Sequence, residues 1–450
     1  MGKATYKTPL LFQSKLLCFS LFYLFTTLFL ALYSSLSSTK CIFRSSPFDP
    51  IQTPLFSYPN TYGEHKYAIP TLRSSCISPL YFSDYWVVFK EIHDILKNIS
   101  SSEPALRYLK MGGESFGGNL SILDRFSYFR QIGTMKVPCG FKKEFPVSSY
   151  DRISMESCRG VVVVSAIFGD HDKIRQPKGL GSQTLETVCF FMFVDDHTFN
   201  VLNSHNILTN KAQEHKLGAW RIVRVLGVLP YESPAMNGVI PKHLVHRLFP
   251  NSRFSIWLDA KMQLTVDPLL LIHSLLIKED ADMAISKHPY YIHTMEEAMA
   301  TARWKKWDNI DSLKMQMETY CESGMQPWTQ DKLPYTTDVP DTAIILRKHD
   351  VGSNLFSCLL FNELEAFNPR DQLAFAFVRD HMNPKMKLNM FEVEVFEQVA
   401  VEYRHNIKRG EQNLAARFSK TTRARSILSL NQSEIRCENY LRKMWAHSVK

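Results

Sequence analysis

The chain has 450 residues, of which 45% are apolar and 22% are charged, so it has enough apolar material for a folded core and is not mainly disordered. Its net charge is +9, but residues 408–450 carry ten Lys/Arg against three Asp/Glu, a surplus of +7 that leaves about +2 for the other 407 residues. The basic excess belongs to the C-terminal tail, which argues against a nucleic-acid-binding face.

A membrane anchor is predicted near the N-terminus. Residues 16–39 contain no charged side chain and no histidine, and about 20 apolar residues cross a bilayer as a helix. The apolar core of a secretory signal is shorter, about 7–15 residues. Lys3, Lys7 and Lys15 precede the stretch, so residues 1–15 are predicted to be a cytosolic tail, 16–38 a signal anchor and the rest luminal. An export signal is the alternative.

A luminal location would permit disulfides and N-linked glycans. No Cys-x-x-Cys or zinc-type spacing occurs. Cys139 and Cys158 flank a polar segment and could pair, whereas Cys189 lies in an apolar run and is expected to be a buried thiol. Glycosylation triplets begin at Asn98, Asn119 and Asn431.

The segment after the anchor, residues 39–130, is rich in Ser, Pro and aromatics. It is predicted to be a luminal stem with one helix at Tyr85–Asn98. From residue 131 short apolar runs alternate with helical patterns, which predicts one α/β domain over 131–407 and a basic tail over 408–450. The predicted strands are Val161–Ile167, Val188–Val194, Phe254–Leu258, Met283–Ser286 and Thr342–Leu346. Runs that are apolar on both faces favour a mainly parallel sheet with helices on both sides.

Helical patterns fill the intervals between these strands. They are Ile240–Leu248, Pro268–Ile277, Glu296–Trp307 and Asp371–Arg379. Thr294, three residues before Glu297, has the N-cap position of a capping box. Asn368-Pro369 suggests an N-cap followed by proline at the first helical position, which would put Asp371 at the third.

Polar side chains follow several of the predicted strands. In open α/β sheets, ligands bind beyond the carboxyl ends of the strands. Asp170, Asp195, Asp196, Asp259 and Lys261 occupy such positions, as do Lys287 and His288. We therefore predict that the first five bind a charged, hydroxyl-rich ligand. The alternative is that these acids serve only as turn residues at strand ends.

The Asp259-Ala260-Lys261 triplet is the most informative of these positions. The stretch leading to it resembles the approach to the Asp-x-Asp motif of nucleotide-sugar glycosyltransferases with a GT-A fold, in which carboxylates hold a divalent cation on the sugar diphosphate. Lys261 replaces the second acid, and a protonated lysine cannot ligate a metal. Two versions remain open: Mn²⁺ or Mg²⁺ held by Asp259 with a further ligand such as His288 or His405, or a metal-free site in which Lys261 neutralises phosphate.

Longer motifs strengthen this resemblance. They are Val163–Phe168, Pro234–Gly238, Phe254–Lys261, Met295–Ala298 and Asn362–Gln372. They resemble a plant family of glycosyltransferase-like membrane proteins that includes probable hexosyltransferases of seed-coat mucilage synthesis and a turgor-regulation protein described as an alkaline ceramidase. The resemblance covers about residues 130–407. It implies a single-pass type II Golgi protein with an α/β, GT-A-like (Rossmann-like) domain after one transmembrane helix.

The acceptor side of such an enzyme also needs chemistry. An inverting transferase uses a carboxylate base to deprotonate the acceptor hydroxyl, and the candidates are Glu363, Glu365 and Asp371. The segment Arg303–Trp307 mixes basic and aromatic residues. It could hold an acidic polysaccharide or the diphosphate, or it could be an amphipathic helix with tryptophan in the core.

Three functions follow from these observations. The first is a hexosyltransferase that moves a sugar from a nucleotide sugar to a pectin-type cell-wall or mucilage polysaccharide at the Golgi membrane, in association with other glycosyltransferases and without nucleic acid. The second is a ceramidase-like hydrolase, against which stands the absence of Gly-x-Ser-x-Gly and His-Glu-x-x-His motifs. The third is a non-catalytic Golgi scaffold.

Overall fold

The computed structural model describes residues 14–36, 40–63, 68–69, 76–98, 106–109, 120–129, 136–139, 144–208, 215–227, 229–404 and 436–446. The sequence predictions outside these residues are the metal ligand His405, the glycosylation sites Asn119 and Asn431, and most of the predicted tails at 1–15 and 408–450.

The first element is an isolated apolar helix, α1, which spans Lys15–Leu36. Its segment Lys15–Tyr33 has a mean hydropathy of 2.1, and none of that segment is buried against the rest of the chain. A helix of 22 residues is about 33 Å long, which matches the hydrocarbon core of a bilayer. By length and composition, α1 fits the predicted membrane anchor.

Part of the predicted stem packs on the domain. Strand β1 (Ile42–Arg44) pairs in parallel with β2 (Leu80–Phe82). Helix α2 (Tyr85–Lys97) confirms the predicted helix and buries Tyr85, Val88 and Ile92. These side chains belong to the same apolar cluster as the sheet strand at Val161. The boundary between stem and domain at residue 131 stays a prediction.

Eight strands form the central sheet, in the spatial order β13-β11-β12-β9-β5-β6-β8-β7. All except β12 and β7 run in the same direction. Every predicted strand is present within a residue or two of its predicted bounds. The strands are β5 (Val161–Ile167), β6 (Val188–Val194), β7 (Lys216–Leu217), β8 (Trp220–Arg224), β9 (Phe254–Leu258), β11 (Met283–Lys287), β12 (Pro340–Lys348) and β13 (Leu388–Phe391).

Both faces of this sheet are covered, as predicted. Along β5, Val162 and Val164 belong to one apolar cluster, and Val161 and Val163 belong to the other. Successive side chains on a strand point to opposite faces, so a run of valines supplies both cores. This arrangement confirms the predicted α/β architecture with a mainly parallel sheet between helical layers.

The remaining short strands are β3 (Arg107–Tyr108), β4 (Lys136–Val137), β10 (Met262–Leu264) and β14 (Ala400–Glu402). The helices after α2 are α3 (Ile122–Ser127), α4 (Ser149–Ser157), α5 (Thr184–Thr187), α6 (Asp196–Ser204), α7 (Pro234–His243), α8 (Val245–Leu248), α9 (Pro268–Ile272, continued by a π-helical turn His273–Ile277), α10 (Thr294–Arg303), α11 (Ile310–Glu322), α12 (Val351–Ala366), α13 (Asp371–His381), α14 (Val393–Val399) and α15 (Cys437–Ala446).

Several predicted helix ends are wrong. The helix predicted at Ile240–Leu248 is divided between α7 and α8, because Leu244 has a non-helical backbone. His293, and not Thr294, caps α10: its Nδ1 accepts a hydrogen bond from the Met295 amide. Helix α13 begins at Asp371, and Arg370 is its N-cap residue. Asn368 instead accepts from the Arg370 amide, so Asp371 is the first helical residue and not the third.

Four disulfides join the eight cysteines that follow α1, and they correct the predicted pairing. They are Cys41–Cys76, Cys139–Cys358, Cys158–Cys189 and Cys321–Cys437. Cys139 therefore does not pair with Cys158, and Cys189 is not a free thiol. Cys158 lies just before β5, and Cys189 lies opposite Val162 on the neighbouring β6. The pairing of β5 with β6 in the sheet brings these two cysteines together, and spacing along the chain does not reveal that pairing.

Candidate active site

The loop that follows β9 places Asp259 against the start of the antiparallel strand β12. The Asp259 amide donates to the Ala343 carbonyl at 2.8 Å, and Trp257 Nε1 donates to Asp259 Oδ1 at 2.6 Å. The side chains of Asp259 and Lys261 are 29% and 24% exposed. The pair is therefore neither sealed in the core nor turned out into solvent, and a ligand at this edge of the sheet can reach both.

A buried lysine, Lys242, joins two of the predicted acids. Its Nζ lies 2.7 Å from Asp371 Oδ2 and 3.4 Å from Asp259 Oδ1. Burial opposes the charge on Lys242, but Asp259 and Asp371 outweigh it, so the pKa of Lys242 is raised. Lys242 comes from α7, Asp259 follows β9, and Asp371 begins α13. Three distant segments thus meet at one ammonium group.

Both carboxylate oxygens of Asp371 have hydrogen-bond or ion-pair partners. Besides Lys242, Oδ1 accepts from Thr342 Oγ1 at 2.8 Å, and Oδ2 lies 3.4 Å from His243 Nε2. Burial would raise the pKa of Asp371, but Lys242 and His243 outweigh it and hold that pKa well below its usual range. Burial also lowers the pKa of His243 to about 4, so this histidine is neutral. Asp371 is thus a buried carboxylate that is ionised at neutral pH and orients Lys242.

Lys261 faces a group of acids that the sequence did not connect with it. Its Nζ lies 2.9 Å from Glu402 Oε1. Burial opposes its charge, but Glu402, Asp259 and Asp341 outweigh it and raise its pKa. Burial, together with Glu402 and Asp259, raises the pKa of Asp341 to about 6, although Lys261 acts in the opposite direction. Lys261 is therefore paired with Glu402, while Asp259 and Asp341 add negative charge nearby.

A second charged cluster, centred on Glu297 of α10, lies beside Lys261. Glu297 is fully buried and accepts from Lys306 at 3.0 Å and from Arg370 at 2.5 Å. Burial and the nearby cations Arg370 and Lys261 lower the pKa of Lys306, against the opposing effect of Glu297. Lys306 is thus repelled by both Arg370 and Lys261. An anion bound beside Lys306 would relieve that repulsion.

The segment Arg303–Trp307 is not a continuous amphipathic helix, because α10 ends at Arg303. Trp304 is exposed, whereas Trp307 Nε1 donates to Ser312. Lys306 turns back over Trp304, with its Nζ 5.3 Å from the ring centroid. An exposed indole beside an ammonium group is a surface on which a sugar ring can stack.

His288 contacts groups other than the Asp259 carboxylate. Its Nδ1 accepts from the amides of Tyr290 and Tyr291, both at 3.1 Å. Its Nε2 points to Glu297 at 4.0 Å. Because Nδ1 is the acceptor, the ring proton is on Nε2, which leaves neither nitrogen directed at Asp259. The assignment of His288 as a metal ligand remains a prediction that this geometry does not favour.

The acids after β5 and β6 form a separate group. Asp195 accepts from the amides of Gly169 and Thr198 at 2.7 and 2.8 Å, and so caps α6. Asp196 pairs with Arg224 at 2.6 Å, and Asp170 with Lys173 at 3.3 Å. Arg175 links this loop to the Asp259 loop, because its NH1 donates to the carbonyls of both Lys173 and Ala260.

Glu363 and Glu365 have partners other than Lys242, the lysine that joins Asp259 and Asp371 and is here called the lysine bridge. Glu363 is fully buried on α12, where it pairs with Arg125 at 2.7 Å and accepts from Tyr320 at 2.9 Å. Glu365 accepts from the Tyr231 hydroxyl at 2.6 Å. Both acids therefore link their helix to neighbouring segments of the chain. Of the three predicted acids, Asp371 is the one that Lys242 connects to Asp259.

One set of three potential metal ligands lies close together in the described part of the chain: Cys139, His246 and Cys358. Cys139 and Cys358 are joined in a disulfide, so neither offers a thiolate. The set is therefore not a metal site.

Comparison with known proteins supports the resemblance seen in the motifs. Residues 97–405 match the family model described as "TOD1/MUCI70, glycosyltransferase-like domain". The chain belongs to this family. It is 62% identical over 465 aligned residues, 99% of this chain and 100% of the relative, to a protein of Arabidopsis thaliana named "Alkaline ceramidase TOD1". It is 40% identical over 301 residues to "Probable hexosyltransferase MUCI70" of the same plant, with 65% of this chain and 51% of that protein aligned.

Two solved glycosyltransferase structures are distantly similar to this TOD1/MUCI70 family member. Mouse xyloside xylosyltransferase 1 aligns over 52% of this chain and 85% of its own, with 8% identity and a TM-score of 0.29. The bifunctional glycosyltransferase WbbM aligns over 52% of this chain and 39% of its own, with 9% identity and a TM-score of 0.26. At this level of similarity, neither structure informs the role of individual residues.

Proposed function

We propose that this protein is a glycosyltransferase that moves a hexose from a nucleotide sugar to a pectin-type cell-wall or mucilage polysaccharide. One observation carries the proposal: Asp259 and Lys261, which follow the carboxyl end of β9, keep side chains that are 29% and 24% exposed. Lys261 also lies near enough to Lys306 to help lower the pKa of Lys306. The family description and the name of the MUCI70 relative agree with it. Location in the Golgi membrane, type II orientation and association with other glycosyltransferases are part of the same proposal.

On the donor side, the diphosphate of the nucleotide sugar lies against Lys261, Lys306 and Arg370. A pyrophosphate relieves the repulsion that Arg370 and Lys261 exert on Lys306, and an ammonium group binds phosphate as a point charge. Negative charge grows on the diphosphate as the sugar leaves, so fixed cations at this position stabilise the transition state more than the ground state. The acids Asp170, Asp195 and Asp196 shape the neighbouring loop.

A divalent cation is part of the same proposal. Asp259, with Asp341 near the same Lys261, would hold Mn²⁺ or Mg²⁺, because hard cations prefer carboxylate oxygens. Such an ion would offset the charge of the leaving diphosphate. In this arrangement Asp371 is a positioning residue, since it fixes Lys242 and Lys242 fixes Asp259.

The name of the 62% identical relative makes a ceramide hydrolase the second function to be tested. One observation bears on it. His349 Nε2 lies 2.9 Å from Ser255 Oγ, as in a nucleophile–base pair. However, Ser255 is fully buried in β9, and burial lowers the pKa of His349 to about 3. Ser255 therefore cannot meet a lipid amide without opening the sheet, and transfer of a sugar is the better supported reaction.

The test is donor binding and turnover by the detergent-solubilised full chain. A panel of nucleotide sugars is titrated by calorimetry with Mn²⁺ and with EDTA, and release of the nucleotide is followed with pectin-type oligosaccharides present. Ceramide cleavage is measured on the same preparation. We expect one nucleotide sugar to bind, and Lys261→Met and Lys306→Met to weaken that binding at least several-fold. Lys305→Met, which changes an exposed neighbour of Lys306, is the matched control.

Each outcome decides between the functions. Ceramide cleavage without nucleotide-sugar binding would replace the proposal with the hydrolase. If nothing binds and Asp259→Ala fully complements a mutant plant, the protein is a scaffold. Equal loss of binding in Lys305→Met and Lys306→Met would remove Lys306 from the site. The luminal orientation is tested separately by Asn98→Gln, which should remove one N-linked glycan from the exposed end of α2.

A further inference from the structure

We propose that a second surface of this protein rests on the membrane that α1 enters. The surface, here called the membrane-facing patch, consists of Ile77, Tyr81, Trp86 and Val87. Its partner is the lipid–water interface of the same bilayer. This inference goes beyond sugar transfer, and it rests on α1 crossing a membrane.

The first argument is the short distance between the anchor and the domain. Only residues 37–39 separate the end of α1 from Lys40, and five residues of chain span at most about 18 Å between Leu36 and Cys41. The Lys40 ammonium group lies 5.5 Å from the centre of the Tyr33 ring in the last turns of α1. The domain therefore begins immediately where the helix ends.

The second argument is that Cys41 is fixed in the domain and cannot act as a free linker. Its disulfide partner is Cys76, and their Cα atoms are 5.3 Å apart. The Cys41 amide donates to Gln398 Oε1 at 2.9 Å, and β1 begins at the next residue. Ile77 follows Cys76 directly, and Tyr81 lies opposite Phe43 in the β1–β2 pair, with their rings stacked at 5.5 Å. These residues are consequently held next to the point where the chain leaves the bilayer.

The third argument is the chemistry of the exposed side chains at this point. Ile77, Tyr81, Trp86 and Val87 are each half or more exposed. Tyrosine and tryptophan favour the interface between lipid and water, where the ring is sheltered and the polar atom stays hydrated. Asp84, which caps α2, fixes Trp86 and Val87 on the first turn, a few residues from Tyr81. These apolar side chains would otherwise be exposed to water, and the lipid interface can cover them.

This placement has a consequence for the candidate active site. Gln398, which holds Cys41, is four residues before Glu402, the partner of Lys261. Four extended residues span at most about 14 Å. The edge of the site is therefore close to the bilayer, so that an acceptor polysaccharide would approach along the membrane surface.

The test is photochemical labelling of the full chain in phosphatidylcholine vesicles. A fraction of the lipid carries a diazirine near the headgroup end of its acyl chain, and adducts are mapped by mass spectrometry. We expect adducts on α1 and on the peptide that contains Trp86 and Val87. In the double variant Ile77→Ser/Tyr81→Ser, adducts on the unchanged Trp86 peptide should fall several-fold. Ile153→Ser, which changes an equally exposed apolar residue on α4, should leave them unaltered.

The labelling pattern separates failure of the patch from failure of the anchor. Adducts on α1 with none on the Trp86 peptide would overturn the membrane-facing patch and leave the anchor intact. An unlabelled α1 would overturn both. Equal labelling of the Trp86 and Ile153 peptides would show non-specific contact with lipid and would also refute the proposal. Donor binding, measured in detergent, is independent of all three results.

Discussion

The lysine bridge between Asp259 and Asp371 yields the most precise prediction. Lys242 and Asp371 have side chains only 11% and 6% exposed, and their charged atoms are 2.7 Å apart. Lys242→Met leaves the Asp371 carboxylate in the core without its main counter-charge. Removal of one partner from a buried ion pair costs about 3–5 kcal/mol of the free energy of unfolding. At roughly 2 °C per kcal/mol for a domain of this size, the Tm should fall by about 6–10 °C.

The assay is thermal and urea unfolding of the parent, Lys242→Met, Asp371→Asn and the double variant. Because each single variant leaves one member of the Lys242–Asp371 pair without the other, the loss of stability in the double variant should be smaller than the sum of the two single losses. Lys242→Met should also weaken donor binding, since Asp259 loses one of its two hydrogen-bond donors. Exact additivity of the two substitutions, or a loss below about 1 kcal/mol in Lys242→Met, would refute the bridge as described.

Other predictions concern regions outside the bridge. Burial and the carboxylate of Asp282 raise the pKa of Asp350 from 3.8 to about 6. The folded state thus binds the extra proton, and stability falls as the pH rises through that window. Asp350→Asn, which can keep the N-cap of α12, should therefore be more stable than the parent by about 1–3 kcal/mol at pH 7 and similar to it at pH 4; an unchanged pH profile would contradict this. Glu363→Gln should lower stability through its buried arginine partner but leave donor affinity unchanged, and a loss of turnover at constant stability would restore Glu363 as catalytic. Replacement of the Cys139–Cys358 disulfide by serines should destabilise the chain by about 5 kcal/mol, more than loss of Cys41–Cys76, since it closes 219 residues and not 35; comparison of the two Tm values checks the order.

The two stretches that were predicted best are those in which local pattern suffices. The run Val161–Ile167 is apolar at nearly every position, and a strand buried on both faces has this composition because each face meets a helical layer. The 22-residue helix α1 is equally easy to predict, because a helix that crosses a bilayer needs an uninterrupted apolar stretch of about this length. The position of Asp259 and Lys261 after β9 is predicted for a similar reason, since carboxyl ends of parallel strands share one edge of the sheet.

Helix ends were predicted less well, because caps compete over short distances. Thr294 and His293 both offer an acceptor at the start of α10. Asn368 does not cap a helix: it accepts from the Arg370 amide and donates to the Gln316 side chain. The free energies that separate such caps are about 1 kcal/mol. Packing against neighbouring elements is large enough to decide between them.

The sequence by itself therefore determined the apolar N-terminal helix, five of the eight strands of the central sheet and the position of Asp259-Ala260-Lys261 at a strand end. Only the tertiary structure placed Lys242 between Asp259 and Asp371, set Asp341 and Glu402 around Lys261, and moved Glu363 into a buried pair with Arg125. It also joined Cys158 to Cys189. The physical reason is that hydrophobic periodicity acts between near neighbours in the chain, whereas charge pairing and disulfides depend on distances that exist only after the sheet has brought remote segments together.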